Sequence, residues 1–273
     1  MQTEIVLEGL SFGEGPRWHD GALWFSDFYR HGIFRLAGPG QEELVVEVPT
    51  QPSGLGWMPN GDLLLVSMVD RKLLRRGAGG VLIEHADLGI VAEGHCNDMV
   101  VAADGTAYVG NFGPDRAPGT LAIVSPEGEV RAGPNEMHFA NGSVITPDGS
   151  TLVVAESMAG RLSAFTITSD GSLVDRRVWA DLAGGIPDGI CLDEAGGIWV
   201  ADPRNANCFR VEEGGRITDR IDLALNCFAC MLGDDDRRTL YMITAPTSGE
   251  SAAATRSGRI ETVRVDIPGA GRP

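Results

Sequence analysis

The stretch Ser143-Val-Ile-Thr-Pro-Asp-Gly-Ser-Thr-Leu-Val-Val-Ala-Glu156 runs from an apolar segment, through a polar Asp148-Gly149 turn, into a second apolar segment. Both segments are short and rich in β-branched residues, and Asp-Gly supplies the positive φ that a tight hairpin needs. The same pattern returns at Gly15–Asp27, Leu55–Ser67, Met99–Asn111, Ile190–Asp202 and Met231–Thr244. Its turns there are Asp20-Gly21, Asn60-Gly61, Asp104-Gly105, Ala195-Gly196 and Asp236-Arg237. Glycines 21, 61, 105, 149 and 196 are 40, 44, 44 and 47 residues apart. Repeats of this period mark four-stranded propeller blades. Third strands read at Gly32–Leu36, Lys72–Arg75, Thr120–Val124, Gly160–Phe165, Cys208–Val211 and Arg259–Val265. Fourth strands follow in every repeat but the last. The expectation is an all-β, six-bladed β-propeller of four-stranded antiparallel blades, one domain over residues 1–273. Glu4–Leu7 is a spare strand that completes the last blade and closes the ring, leaving no open edge. With 37 glycines and 15 prolines the chain has few helix signals. Thr247–Gly258 reads as a long hairpin loop and Gly269–Pro273 as a frayed tail.

Thirty-eight acidic against 22 basic residues give a net charge of −16, which disfavours a nucleic-acid partner. No apolar run approaches the roughly 18 residues of a membrane span, so no membrane partner is expected. Met1-Gln-Thr-Glu4 lacks the basic and apolar regions of a secretory signal. The five cysteines fit a reducing compartment better than a disulfide framework, and the expected location is the cytoplasm. Cys227-Phe-Ala-Cys230 has C-x-x-C spacing, but no second pair accompanies it, so buried cysteine is favoured over zinc or redox chemistry. Oligomeric state is not legible.

Chemistry concentrates where blades begin, at one mouth of the central channel. Glu14 lies in Gly13-Glu-Gly-Pro16, and Asn97 and Asp98 in His95-Cys-Asn-Asp-Met99. Asn141 lies in Phe139-Ala-Asn-Gly142, and Asp188 in Ile186-Pro-Asp-Gly189. One Asx-Gly alone is an ordinary turn. Four at equivalent places in separate repeats form a set of hard oxygen donors suited to a divalent cation. A neighbouring glycine lets the chain turn toward the axis. His95 and His138 flank this set, and Asn111 and Phe112 end a strand beside it. Phe12, Trp57, Met68 and Phe139 are further candidates to face the mouth. Asp27, Ser67, Glu156, Asp202 and Thr244 end second strands, where hydrogen bonds between neighbouring blades are expected.

Gly13-Glu-Gly-Pro16, Asn97-Asp98, Ala140-Asn-Gly142 with Thr146-Pro-Asp-Gly149, and Pro187-Asp-Gly189 with Ile198-Trp-Val-Ala-Asp202 resemble the signature segments of the regucalcin/gluconolactonase family. The resemblance spans the chain and keeps the order of the motifs. It implies a six-bladed propeller holding one divalent metal ion (Ca, Zn, Mn, Mg or Fe(II)) and hydrolysing a small-molecule lactone or ester. By similarity Glu14, Asn141 and Asp188 are the metal ligands, and Asn97 contacts substrate. Asp188 is the first choice for the base that activates water. Sugar-lactone members carry an arginine two residues before that asparagine and a glycine after the Asn-Asp pair; this chain has His95 and Met99. The exchange points away from a substrate with many hydroxyls. It makes His95 a second catalytic candidate, since imidazole titrates near neutrality. His95, Asn97, Asn111, Phe112 and His138 are the expected substrate contacts. Two alternatives stay open: a phosphotriesterase-like hydrolase on the same metal site, and a non-catalytic calcium- or ligand-binding propeller. A WD40-type scaffold is disfavoured, because the repeats lack Gly-His and Trp-Asp signatures.

Overall fold

A computed structural model describes residues 2–271. Six four-stranded sheets follow one another along the chain. Their innermost strands are Gly13–His19, Pro52–Trp57, His95–Val101, Ala140–Ile145, Ile190–Leu192 and Asn226–Gly233, which open blades 1 to 6. Inner strands of successive blades touch, and that of blade 6 packs on that of blade 1, so the blades form a closed six-membered ring. The chain is the expected six-bladed β-propeller.

The six expected turns join the first and second strands of each blade. Glycines 21, 61, 105, 149 and 196 all have positive φ, and Arg237 takes that conformation in blade 6. Second strands such as Leu63–Ser67 are buried at every position. They are sandwiched between neighbouring blades, so their sequences are continuous apolar runs rather than alternating ones. Outer strands such as Glu42–Glu47 are half-buried or exposed at every position.

Ring closure follows the expectation and extends it. The N-terminal strand covers Glu4–Leu10 and pairs antiparallel with Gly258–Arg264, as the outermost strand of blade 6. Thr3 Oγ1 adds a 2.7 Å hydrogen bond to Glu261. Two expectations fail. Thr247–Gly258 is not merely a loop, because Glu250–Thr255 forms an α-helix with Ala252 packed on Phe12, Phe28 and Phe228. The tail is docked as far as it is described: Gly269 bridges Asp193, and Ala270 N–H donates to Leu192 O at 3.0 Å. Residues 272 and 273 of that segment lie outside the described residues. Among the described residues no helix is long and apolar enough to cross a membrane.

Candidate active site

Five of the six inner strands carry a break in pairing at the axial mouth. Register shifts fall between Glu14 and Arg17, Pro52 and Leu55, Cys96 and Met99, Ala140 and Ser143, and Cys227 and Ala229. A bulge re-aims the residues it contains. Glu14, Asn97 with Asp98, and Asn141 sit at these bulges, and Asp188 lies just before its inner strand. Gly15 has φ +54°, as a tight turn requires. At Gly142 the reason is space: an added Cβ would lie 2.5 Å from Ile190 N of the next blade.

Second-strand ends then fix the loops that deliver these residues. The Asp27 carboxylate accepts from Ser11 N–H and Phe12 N–H at 2.9 and 3.1 Å, just ahead of Glu14. Glu156 accepts from His138 N–H at 3.0 Å, three residues before Asn141. Asp202 accepts from Ile186 N–H at 3.2 Å, two residues before Asp188. Each of the three expected ligands therefore has a buried carboxylate in its own blade holding the approach to it. These bonds run from each second-strand end to the loop that links its blade to the one before it.

Glu14, Asn97, Asn141 and Asp188 line one cavity of about 570 Å³ at the mouth. Burial, with the charges of Asp188 and Asp98, pushes the Glu14 carboxyl well above its ordinary range. Burial and Asp98 push Asp188 up likewise, while Asn141 opposes the rise. Among the described residues Asp188 Oδ1 is buried without a hydrogen-bond partner. The Ser157 hydroxyl donates to Pro187 O at 2.6 Å and accepts from Asn141 Nδ2 at 3.2 Å, which leaves Asn141 its oxygen for another partner. Among the described residues no three histidine, cysteine or carboxylate side chains group as a metal cluster. This donor set has two carboxylates with an amide oxygen as the third. Two crowded carboxylates, an orphaned carboxylate oxygen and an open amide oxygen fit a hard divalent cation. Asp98, which the sequence groups with the candidate oxygen donors, takes a different part. Its Oδ1 pairs with Arg17 Nη2 at 2.8 Å, both side chains being buried.

The remaining predicted residues divide. His95 and Phe112 line the cavity, with their ring centroids 5.8 Å apart. Asn97 lines it with both ends of its amide engaged: Ser53 Oγ donates to Oδ1 at 3.3 Å, and Nδ2 donates to Ala140 O at 3.4 Å. Asn111 does not reach the cavity, because its amide bridges both backbone groups of Thr120. His138 is exposed outside the lining. Phe12, Met68 and Phe139 are in the lining. Trp57 is elsewhere, stacked on His19 at 3.8 Å. Phe28, Tyr29, Arg116 and Phe228 are lining residues that the sequence reading missed. Phe28 and Tyr29 follow a strand-ending aspartate and Phe228 sits in a bulge, so strand alternation does not reveal their direction. All five cysteines are free and buried, and Cys191 Sγ lies 3.8 Å from Cys230 Sγ between blades 5 and 6.

The chain is 25% identical to the pentonolactonase of Haloferax volcanii over 283 residues, covering 99% of this chain and 96% of the relative. It is also 25% identical to the 6-deoxy-6-sulfogluconolactonase of Pseudomonas putida, covering 98% and 96%. The solved structure of regucalcin from Agrobacterium tumefaciens, described as a calcium-binding protein, superimposes with a TM-score of 0.84 at 21% identity. That match covers 98% of this chain and 96% of the other, and it bears on the fold alone. Residues 12–246 match the SMP-30/Gluconolactonase/LRE-like region, and the chain belongs to that family.

Proposed function

We propose that this protein is a divalent-metal-dependent hydrolase of a lactone or related cyclic ester. The observation that carries the reading is the buried, unpartnered Asp188 Oδ1 in one cavity with Glu14 and Asn141. The lactonase names of two full-length relatives support the reaction class. Glu14, Asn141 and Asp188 would hold the metal. When bound, the cation supplies Lewis-acid polarisation of the lactone carbonyl and opposes the negative charge that builds on its oxygen.

This chain's own residues supply the rest. Asp188, in the cavity beside Asn141, would take a proton from attacking water. Asn97, fixed at both ends, is a rigid surface against which the ring is oriented. His95, exposed at the cavity rim, is placed to return a proton to the ring oxygen as it leaves. Ser157 holds the Asn141 amide in one orientation.

A panel of lactones assayed with Ca²⁺, Mn²⁺ or Zn²⁺, and again with chelator, tests the reading. Hydrolysis that needs the metal and disappears in Asp188→Ala is the expected result. Metal-loaded protein that opens no lactone sinks it: cation binding without turnover then favours a non-catalytic calcium-binding propeller, and cleavage of a phosphotriester alone favours that chemistry.

A further inference from the structure

The cavity over Asp188 has two aromatic walls that opening a lactone ring does not require. On the side of blades 6 and 1, Phe12 packs edge-on against Phe28 at 5.2 Å between centroids and against Phe228 at 4.8 Å. On the side of blades 3 and 4, Phe112 and Phe139 lie face to face, 4.1 Å apart and within 7° of parallel. A six-membered ring sets blades 6 and 1 opposite blades 3 and 4, so the walls face each other across the polar floor. All five rings line the cavity, and Phe112 and Phe139 keep part of their surface open to it.

Sugar hydroxyls need open donors and acceptors, and three polar side chains of this lining are committed elsewhere. Asn97 is bonded at both ends, Ser157 donates to Pro187 O, and Asn226 Nδ2 donates to Pro246 O at 3.2 Å. A flat apolar group, by contrast, covers the open faces of a stacked pair and meets ring edges on the far side, an arrangement aromatic rings favour.

Resting on the hydrolase reading, we propose that the substrate is a lactone carrying an aromatic or bulky apolar group, seated between these walls, with Phe112 and Phe139 as specificity-determining residues. The test compares 3,4-dihydrocoumarin, δ-valerolactone and glucono-δ-lactone on the metal-loaded protein. The expected kcat/KM for dihydrocoumarin exceeds that for gluconolactone by about tenfold or more, the scale on which pocket contacts discriminate. Phe112→Ala with Phe139→Ala is expected to lower the dihydrocoumarin-to-valerolactone ratio by about tenfold. Phe112→Leu, which keeps apolar bulk and loses planarity, should lower it less and guards against misfolding of the double variant. A preference for gluconolactone, or a ratio unmoved by these variants, overturns the proposal. If no lactone is opened, the hydrolase reading fails by itself, and calorimetry decides this one. Tighter binding of 3,4-dihydro-2-quinolinone than of gluconolactam sustains an aromatic-binding mouth, while equal or absent binding ends it.

Discussion

Asp188 is held close to other carboxylates, a conflict that an unlike charge or the loss of its own charge relieves. Glu14 and Asp98 crowd it, and buried Arg17 is committed to Asp98. Neutralising a crowded charge relieves repulsion worth on the order of 1 kcal/mol or more. Asp188→Asn should therefore raise the melting temperature of the metal-free protein by a few degrees while abolishing turnover; a lower melting temperature would contradict this account. A saturating divalent cation, at about 100 times its Kd, should stabilise the wild type by about 2.7 kcal/mol, and the gain should vanish in Asp188→Asn. Calorimetric melts with and without chelator read both effects. Arg17→Met is the opposite case. It leaves buried Asp98 without its partner and should cost about 3–5 kcal/mol in urea denaturation. Polar residues where blades begin marked Glu14, Asn141 and Asp188 as candidates, the family resemblance singled them out as ligands, and the structure brings all three to one cavity. Asn111 misled: a polar strand end equally serves a backbone, and Thr120 claims it.

The second strands finish in residues that tie down the incoming loop, and this division of labour was hidden from a reading by period alone. Asp27, Glu156 and Asp202 each bond backbone N–H groups shortly before a proposed ligand. Glu156 also receives Arg161, Arg176 and Ser163. Burial pushes its carboxyl up, but Arg161, Ser163, the His138 N–H and Arg176 together hold it down at about 2 against an ordinary 4.5. A folded value below the unfolded one means that its stabilisation is complete above about pH 4.5 and drains away as the pH falls toward 2, a total on the order of 3 kcal/mol. Glu156→Gln should thus be less stable than wild type at pH 6, and the gap should narrow at pH 3. Urea titrations at the two values check this, and a constant gap would mean the carboxylate charge is irrelevant. Loss of activity in this variant should come through Asn141, and so appear in metal affinity. The turns and strands themselves were readable, since Asx-Gly turns and β-branched runs are local signals. The Glu250–Thr255 helix was not: Ala252, Ala253 and Ala254 favour helix, but six residues are too few to show a helical period, and packing of Ala252 on the phenylalanine cluster holds it.

The ring is closed by pairing residues from the two ends of the sequence. Removing residues 2–10 would strip the outer strand from blade 6 and bare the edge of Gly258–Arg264. We expect that deletion to yield aggregated or unfolded protein by circular dichroism and size-exclusion chromatography; a monomeric, native-like product would show that five complete blades and a partial one suffice. Six repeats of one period made the architecture visible from sequence, and the absence of a fourth strand in the last repeat pointed to the closure. The docking of Gly269 and Ala270 on blade 5 carried no such signal, since two small residues announce no partner. Closure also bears on how the molecule is made. Thr3 meets Glu261 across a separation of 258 residues, so during synthesis the Glu4–Leu10 strand must wait, unpaired and prone to stray β-contacts, until the intervening five blades have emerged.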